Sequence, residues 1–264
     1  MITFFCNLNV VWQALIAGIF TFLITTLGSA LVVFFKSINK SLMDGMLALS
    51  AGIMMSASFF SLLLPAIEIS NEYNLLGWAI IPISFMVGGF IISFGNCFFN
   101  HFSCDNNLNN SFKRCAMLFT SITLHNIPEG LVLGVAFASV PFDINNASLI
   151  SALTLTVAIA IQNFPEGSAI SLPFRREGFS RVISFIFGSL SAIVEPIFAV
   201  IGAILVMKVQ TILPFIMSFT AGAMTFVCTL ELIPESLTNK KKDLMALLVL
   251  FGFSIMMILE LILG

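Results

Sequence analysis

The sequence predicts an all-α polytopic membrane protein: eight transmembrane helices in a single transporter domain, residues 1–264, with both termini outside. Three observations carry this prediction. First, 59% of the residues are hydrophobic and only 9% charged, with a mean hydropathy of +1.08. Soluble domains carry about 25% charged residues, and no soluble fold of this length could hide so much apolar surface. Second, runs of about 20 mostly apolar residues, the length that crosses a bilayer, recur at 10–35, 43–68, 75–99, 115–140, 146–172, 182–207, 211–237 and 244–263. Third, the basic residues segregate. Lys36, Lys40, Lys113, Arg114, Arg175, Arg176, Arg181, Lys240, Lys241 and Lys242 fall in alternate loops, and only Lys208 falls in the others. The positive-inside rule places the ten in the cytoplasm of a cell (inner or plasma) membrane. Miscounting one span before the midpoint would scramble this segregation.

The spans differ in what they hold. Span one has no charged residue from Val10 to Phe35, and no basic run precedes it, so it reads as a retained helix rather than a cleaved signal. Span two opens at Asp44, contains Ala51-Gly52-Ile53-Met54-Met55 and ends near Pro65. Spans four and five hold two near-identical segments, His125-Asn126-Ile127-Pro128-Glu129-Gly130 and Gln162-Asn163-Phe164-Pro165-Glu166-Gly167. Span six holds Glu195-Pro196, span seven Gly222-Ala223-Met224 followed by Glu231, Pro234 and Glu235, and span eight an interfacial Glu260. Gly, Ser and Pro recur within the spans, as membrane helices allow.

Some function classes drop out. The net charge of −2 comes with no basic patch, so nucleic acid is not a partner. Five cysteines without framework spacing predict no disulfide scaffold.

The carboxylates at membrane depth carry the chemistry. A Glu in the hydrocarbon layer is costly and is by default a functional residue. No Lys or Arg lies deep in a span to pair with these carboxylates, so they are either protonated or held by something positive. A divalent cation neutralises two at once. His125 and Glu129 are four residues apart and share a helix face; Gln162 and Glu166 repeat the spacing, and Asn126 and Asn163 each lie three residues before their Glu. Pro128 and Pro165 are expected to loosen their helices one turn upstream and free carbonyl oxygens there, as in the broken helices that hold ions in transporters. Imidazole suits Zn, Fe or Cu, and carboxylate and amide oxygens broaden that range.

Each feature alone has an ordinary explanation. His125 would fit a packing histidine, and Pro-Glu-Gly a simple kink. The duplicated segment in consecutive spans is what favours an ion site. Glu195 reads equally as a ligand or as local helix polarity, and Glu231 and Glu235 as a metal exit station or a hydrated helix end. His101-Phe102-Ser103-Cys104 reads as a solvated loop or a weak metal site.

The paired segments, at this spacing in spans four and five, resemble the ZIP (Zrt/Irt-like) metal transporters over nearly the whole chain. Gln162 at the head of the second segment resembles the GufA-like bacterial branch. The resemblance implies a three-plus-two-plus-three helix arrangement with inverted repeats. It also implies one metal held by Met54 (with Met55 as the register alternative), His125, Glu129, Gln162 and Glu166, and a second held by Asn126, Glu129, Asn163, Glu166 and Glu195. Ser61 would assist the second metal, and Asp44 and Glu231 would lie along the path. The chain departs from the family pattern where Asn163 replaces an Asp, where Leu230 stands in place of a His before Glu231, and where the third loop lacks a His-rich run.

The expected function is uptake of a divalent transition metal into the cytoplasm, Zn²⁺ first, with Fe²⁺, Mn²⁺ and Cd²⁺ open. The metal is cargo rather than cofactor, and the lipid bilayer is the other partner; a homodimer stays open. The ion would shed water against the site, and one helix bundle would rock or slide against the other. Binding would displace protons and so depend on pH. The rivals are a proton-coupled carrier using Glu129 and Glu166 as a relay, a metal sensor, and an intramembrane metalloenzyme. Against the last, the chain has no His-Glu-x-x-His and is not expected to be an enzyme.

Overall fold

The computed structural model describes residues 5, 8–34, 40–103, 110–142 and 148–263. Among these, α1 runs Val10–Phe34 with a turn at Ala30, α2 Lys40–Glu72, α3 Gly77–Ser103, α4 Asn110–Ser139, α5 Leu149–Arg176, α6 Arg181–Lys208, α7 Leu213–Ser236 and α8 Lys242–Leu263. Seven of them, α1 to α3 and α5 to α8, are long and apolar enough over their described residues to cross a membrane. The chain is therefore a multi-pass membrane protein. Lys36 lies outside the described residues.

Two groups of helices pack most extensively within themselves. In one, α6 lies along α4 and α1, and α1 lies along α5; in the other, α7 lies along α3 and α8 along α2. The groups meet where α2 and α8 touch α5, and where α3 and α7 touch α4. Glycines let the partners approach closely. Gly28 and Gly167 join α1 to α5, and Gly88 and Gly222 join α3 to α7, each with its α-carbon against a carbonyl of the facing helix. Between apolar helices in lipid, such close packing is a main source of association.

Prolines disturb these helices selectively. Before Pro65 and Pro234 the backbone widens into π turns, Ser58–Leu63 and Cys228–Leu232. Before Pro196, α6 opens into a turn over Ser191–Ile193. The expected loosening before Pro128 and Pro165 does not occur, and both helices run through as regular α-helix. One missing N–H does not end a helix whose neighbouring turns stay bonded, and here the following glycines, Gly130 and Gly167, clamp both segments against α6 and α1.

Candidate metal site

The twin segments meet at the contact of α4 with α5. Asn126, Glu129, Gln162, Asn163, Glu166 and Glu195 are all buried, and Met54 of α2 is buried with them. The His125 backbone lies in α4; its side chain, like that of His101 and the whole of Cys104, lies outside the described residues.

Hydrogen bonds fix several of these groups. Gln162 Nε2 donates to Glu129 Oε1 at 2.6 Å, a short bond that ties the two segments together. Asn126 Nδ2 donates to Ser191 O at 3.0 Å, in the open turn of α6. This occupies one of the amide's two N–H donors, and Oδ1 has no hydrogen-bond partner among the described residues. Ser50 Oγ of α2 donates to Gln162 O at 3.0 Å, which anchors the second segment from the other helix group. Thr21 and Thr25 of α1 lie beside Glu195, as does Asn163, while both threonine hydroxyls donate to their own helix, to Gly18 O and Thr21 O. Glu195 occupies the first turn of the helix that resumes after the α6 break, where exposed backbone N–H groups favour a negative charge.

What remains is unusual for a buried site. Asn126 Oδ1, Glu129 Oε2, Gln162 Oε1, Asn163 Oδ1, both oxygens of Glu166 and both of Glu195 have no hydrogen-bond partner among the described residues. Each such group costs about 1–3 kcal/mol when left unsatisfied. Eight oxygen acceptors on six side chains, with no cationic side chain among them, fit a hard-to-borderline cation. Among the described residues, no three His, Cys, Asp or Glu side chains close around one point. The donor set is instead mixed, with the Gln162 amide bonded to the Glu129 carboxylate.

The other sequence-identified residues lie away from this centre. A cleft of about 280 Å³ opens where α2, α4, α5, α7 and α8 end or begin, lined by Ser61, Glu68, Ser139, Ser151, Met217 and Glu260. Val132 also lines it, three residues beyond Glu129. Ser61 Oγ donates to Glu260, so Glu260 belongs to this cleft rather than to a bare interface. At the opposite end of α2, buried Asp44 Oδ2 accepts from Asn239 Nδ2 at 2.8 Å, and Asn239 Oδ1 accepts from Lys241 N at 2.9 Å. Glu231 sits half-buried in the π turn of α7, and Glu235 is exposed one turn later.

Sequence reasoning missed Ser50, Thr21, Thr25, Ser191 and the α6 break. Pro196 signals the break, because a proline clashes with the carbonyl four residues earlier, here Ala192.

Comparisons with known proteins find relatives over most of the chain. A family model described as "ZIP Zinc transporter" matches residues 101–260. The chain is 32% identical to Zinc transporter ZIP11 of Xenopus tropicalis, over 96% of this chain and 98% of that one. It is 31% identical to Zinc transporter ZIPB of Bordetella bronchiseptica, over 96% and 82%. It is 30% identical to Zinc transporter GufA of Myxococcus xanthus, over 56% of each.

Proposed function

From the premise that the chain belongs to the ZIP family of zinc transporters, we propose that it carries Zn²⁺, and with it other divalent transition metals, into the cytoplasm through the buried site between α4 and α5. It is a transporter and not an enzyme. The observation that carries this reading is the set of eight unpartnered acceptor oxygens on Asn126, Glu129, Gln162, Asn163, Glu166 and Glu195. The relatives' names as zinc transporters support the choice of cargo.

The first metal position takes Met54, His125, Glu129, Gln162 and Glu166; the second takes Asn126, Glu129, Asn163, Glu166 and Glu195. Asn163 is neutral, so the second position holds its ion more weakly. Membrane topology follows the charges: α4 is the eighth span and the basic loops face the cytoplasm. The cleft of Ser61, Glu68 and Glu260 then opens outside, and the Asp44–Asn239 contact lies inside. An inverted repeat, α1–α3 matched by α6–α8, is supported by the helix pairing. Exchanging the repeats turns α1 on α5 into α6 on α4, and α2 on α8 into α7 on α3, and it matches the two π turns. The same pairing separates a group of α1, α4, α5 and α6, holding every carboxylate of the site, from a group of α2, α3, α7 and α8. Movement of the first group along the second would carry the ion from the outer cleft toward Glu231 and the cytoplasm.

The test is metal flux into proteoliposomes. Glu129→Gln and Glu166→Gln are expected to abolish uptake while the proteins remain folded. Normal uptake by both would overturn the assignment.

A further inference from the structure

The site's ligands lie on the first helix group apart from Met54, which belongs to the second. The second group presents one more donor beside it. Cys228 of α7 is fully buried, and its Sγ donates to Ala51 O at 3.7 Å, one helical turn before Met54 on α2. Ser50, next to Ala51, is bonded to the carbonyl of Gln162, so Cys228 is level with the second twin segment. It is within electrostatic reach of both Glu166 and Glu129. Cys228 also opens the π turn Cys228–Leu232, a rare backbone form that recurs at functional sites. The independent sign of a ligand here is Glu166 itself, buried with neither oxygen partnered.

We propose that Cys228 is a metal ligand on the wall along which the site moves, taking a soft or borderline divalent cation, Cd²⁺ or Zn²⁺, together with Glu166 on the basic-loop side of Met54. This rests on the transport reading above. In the described arrangement Cys228 and the carboxylates do not close on one point. The shared coordination therefore forms when the first helix group shifts along the second, which holds Cys228. As the metal–sulfur contact forms, the thiol's proton is released to solvent, and the sulfur no longer donates to Ala51 O. Sulfur ligands select softer ions, so Cys228 and Met54 together bias the path toward Cd²⁺ and Zn²⁺ over Mn²⁺.

The experiment adds Cd²⁺ to purified full-length protein and reads two signals: bound Cd²⁺ by equilibrium dialysis, and the ultraviolet sulfur-to-cadmium charge-transfer band. The wild type is expected to show the band, as is a variant with Cys6, Cys97, Cys104 and Cys115 all replaced by Ser. Cys228→Ser is expected to lose it, with Cd²⁺ bound at least about tenfold more weakly and the preference for Cd²⁺ over Mn²⁺ reduced. Cd²⁺ bound by the wild type without the band, or a band that survives Cys228→Ser, overturns the role of Cys228 and leaves the transport site standing. No Cd²⁺ or Zn²⁺ bound by the wild type overturns both. Elution of Cys228→Ser as the same monodisperse species separates loss of a ligand from misfolding.

Discussion

Replacing Gly130 by Ala perturbs the site without replacing a ligand. Gly130 follows Glu129 and lies against the backbone of Glu195. A β-carbon there would stand 2.5 Å from Glu195 O and 3.0 Å from Glu195 Cα, whereas ordinary contact starts at 3.4 Å, so α6 must retreat by about 0.9 Å. The atoms in the way are backbone, which cannot rotate aside. Overpacking of this kind costs about 1–3 kcal/mol of stability. The larger consequence is positional. Glu195 moves away from Glu129, and the Asn126–Ser191 hydrogen bond in the adjoining turn of α6 is stretched. Losing the support of a metal ligand typically costs about 10–100-fold in affinity, and that loss is expected for Gly130→Ala in calorimetric Zn²⁺ binding, with a parallel fall in flux. Gly89→Ala is the control: its β-carbon would meet Phe226 at 3.6 Å, an ordinary contact, and binding should not change. If Gly130→Ala binds and transports as Gly89→Ala does, the close approach of α4 and α6 does not shape the site.

Other substitutions probe single contacts. Asn163→Asp puts a fourth carboxylate beside Glu129 and Glu195, and the number of Zn²⁺ ions retained after dialysis should rise; an unchanged number argues against a second metal position. Gln162→Ala removes the donor on Glu129 Oε1 and is expected to weaken Zn²⁺ binding about 10–100-fold, a loss that Gln162→Leu should share and wild-type affinity in either would contradict. Asn239→Ala leaves Asp44 buried with neither oxygen bonded, a penalty of about 1–3 kcal/mol, so amides of residues 237–241 should exchange hydrogen faster; unchanged exchange would show that this contact does not hold the turn. Ligands must be deprotonated to bind metal, so Zn²⁺ affinity should fall as pH falls, and a flat titration series would speak against carboxylate ligation.

Much of this site was legible because its signals are local. The spacing of Gln162 and Glu166 is set by one helical turn, and Gln162 reaches Glu129 of α4. The helices begin and end near the charged residues that bound them, Lys40, Arg181 and Lys242 among them. What stayed hidden depends on partners distant in sequence. Ser50 meets Gln162 across 112 positions, and Cys228 meets Ala51 across 177; neither serine nor cysteine carries a periodic signal in an apolar helix. The prolines show why local rules run out. Pro65, Pro196 and Pro234 disturb the turn before them, whereas Pro128 and Pro165 sit in helices held by neighbours. The steric rule is the same for all five, and tertiary packing decides the outcome.

Anomalous diffraction from crystals of the protein loaded with Cd²⁺ or Zn²⁺ tests the central claim most directly. The account predicts a peak between Glu129 and Glu166, within bonding distance of both carboxylates, that disappears in Glu129→Gln. Metal bound only in the cleft of Ser61, Glu68 and Glu260, with the space between Glu129 and Glu166 empty, would contradict it.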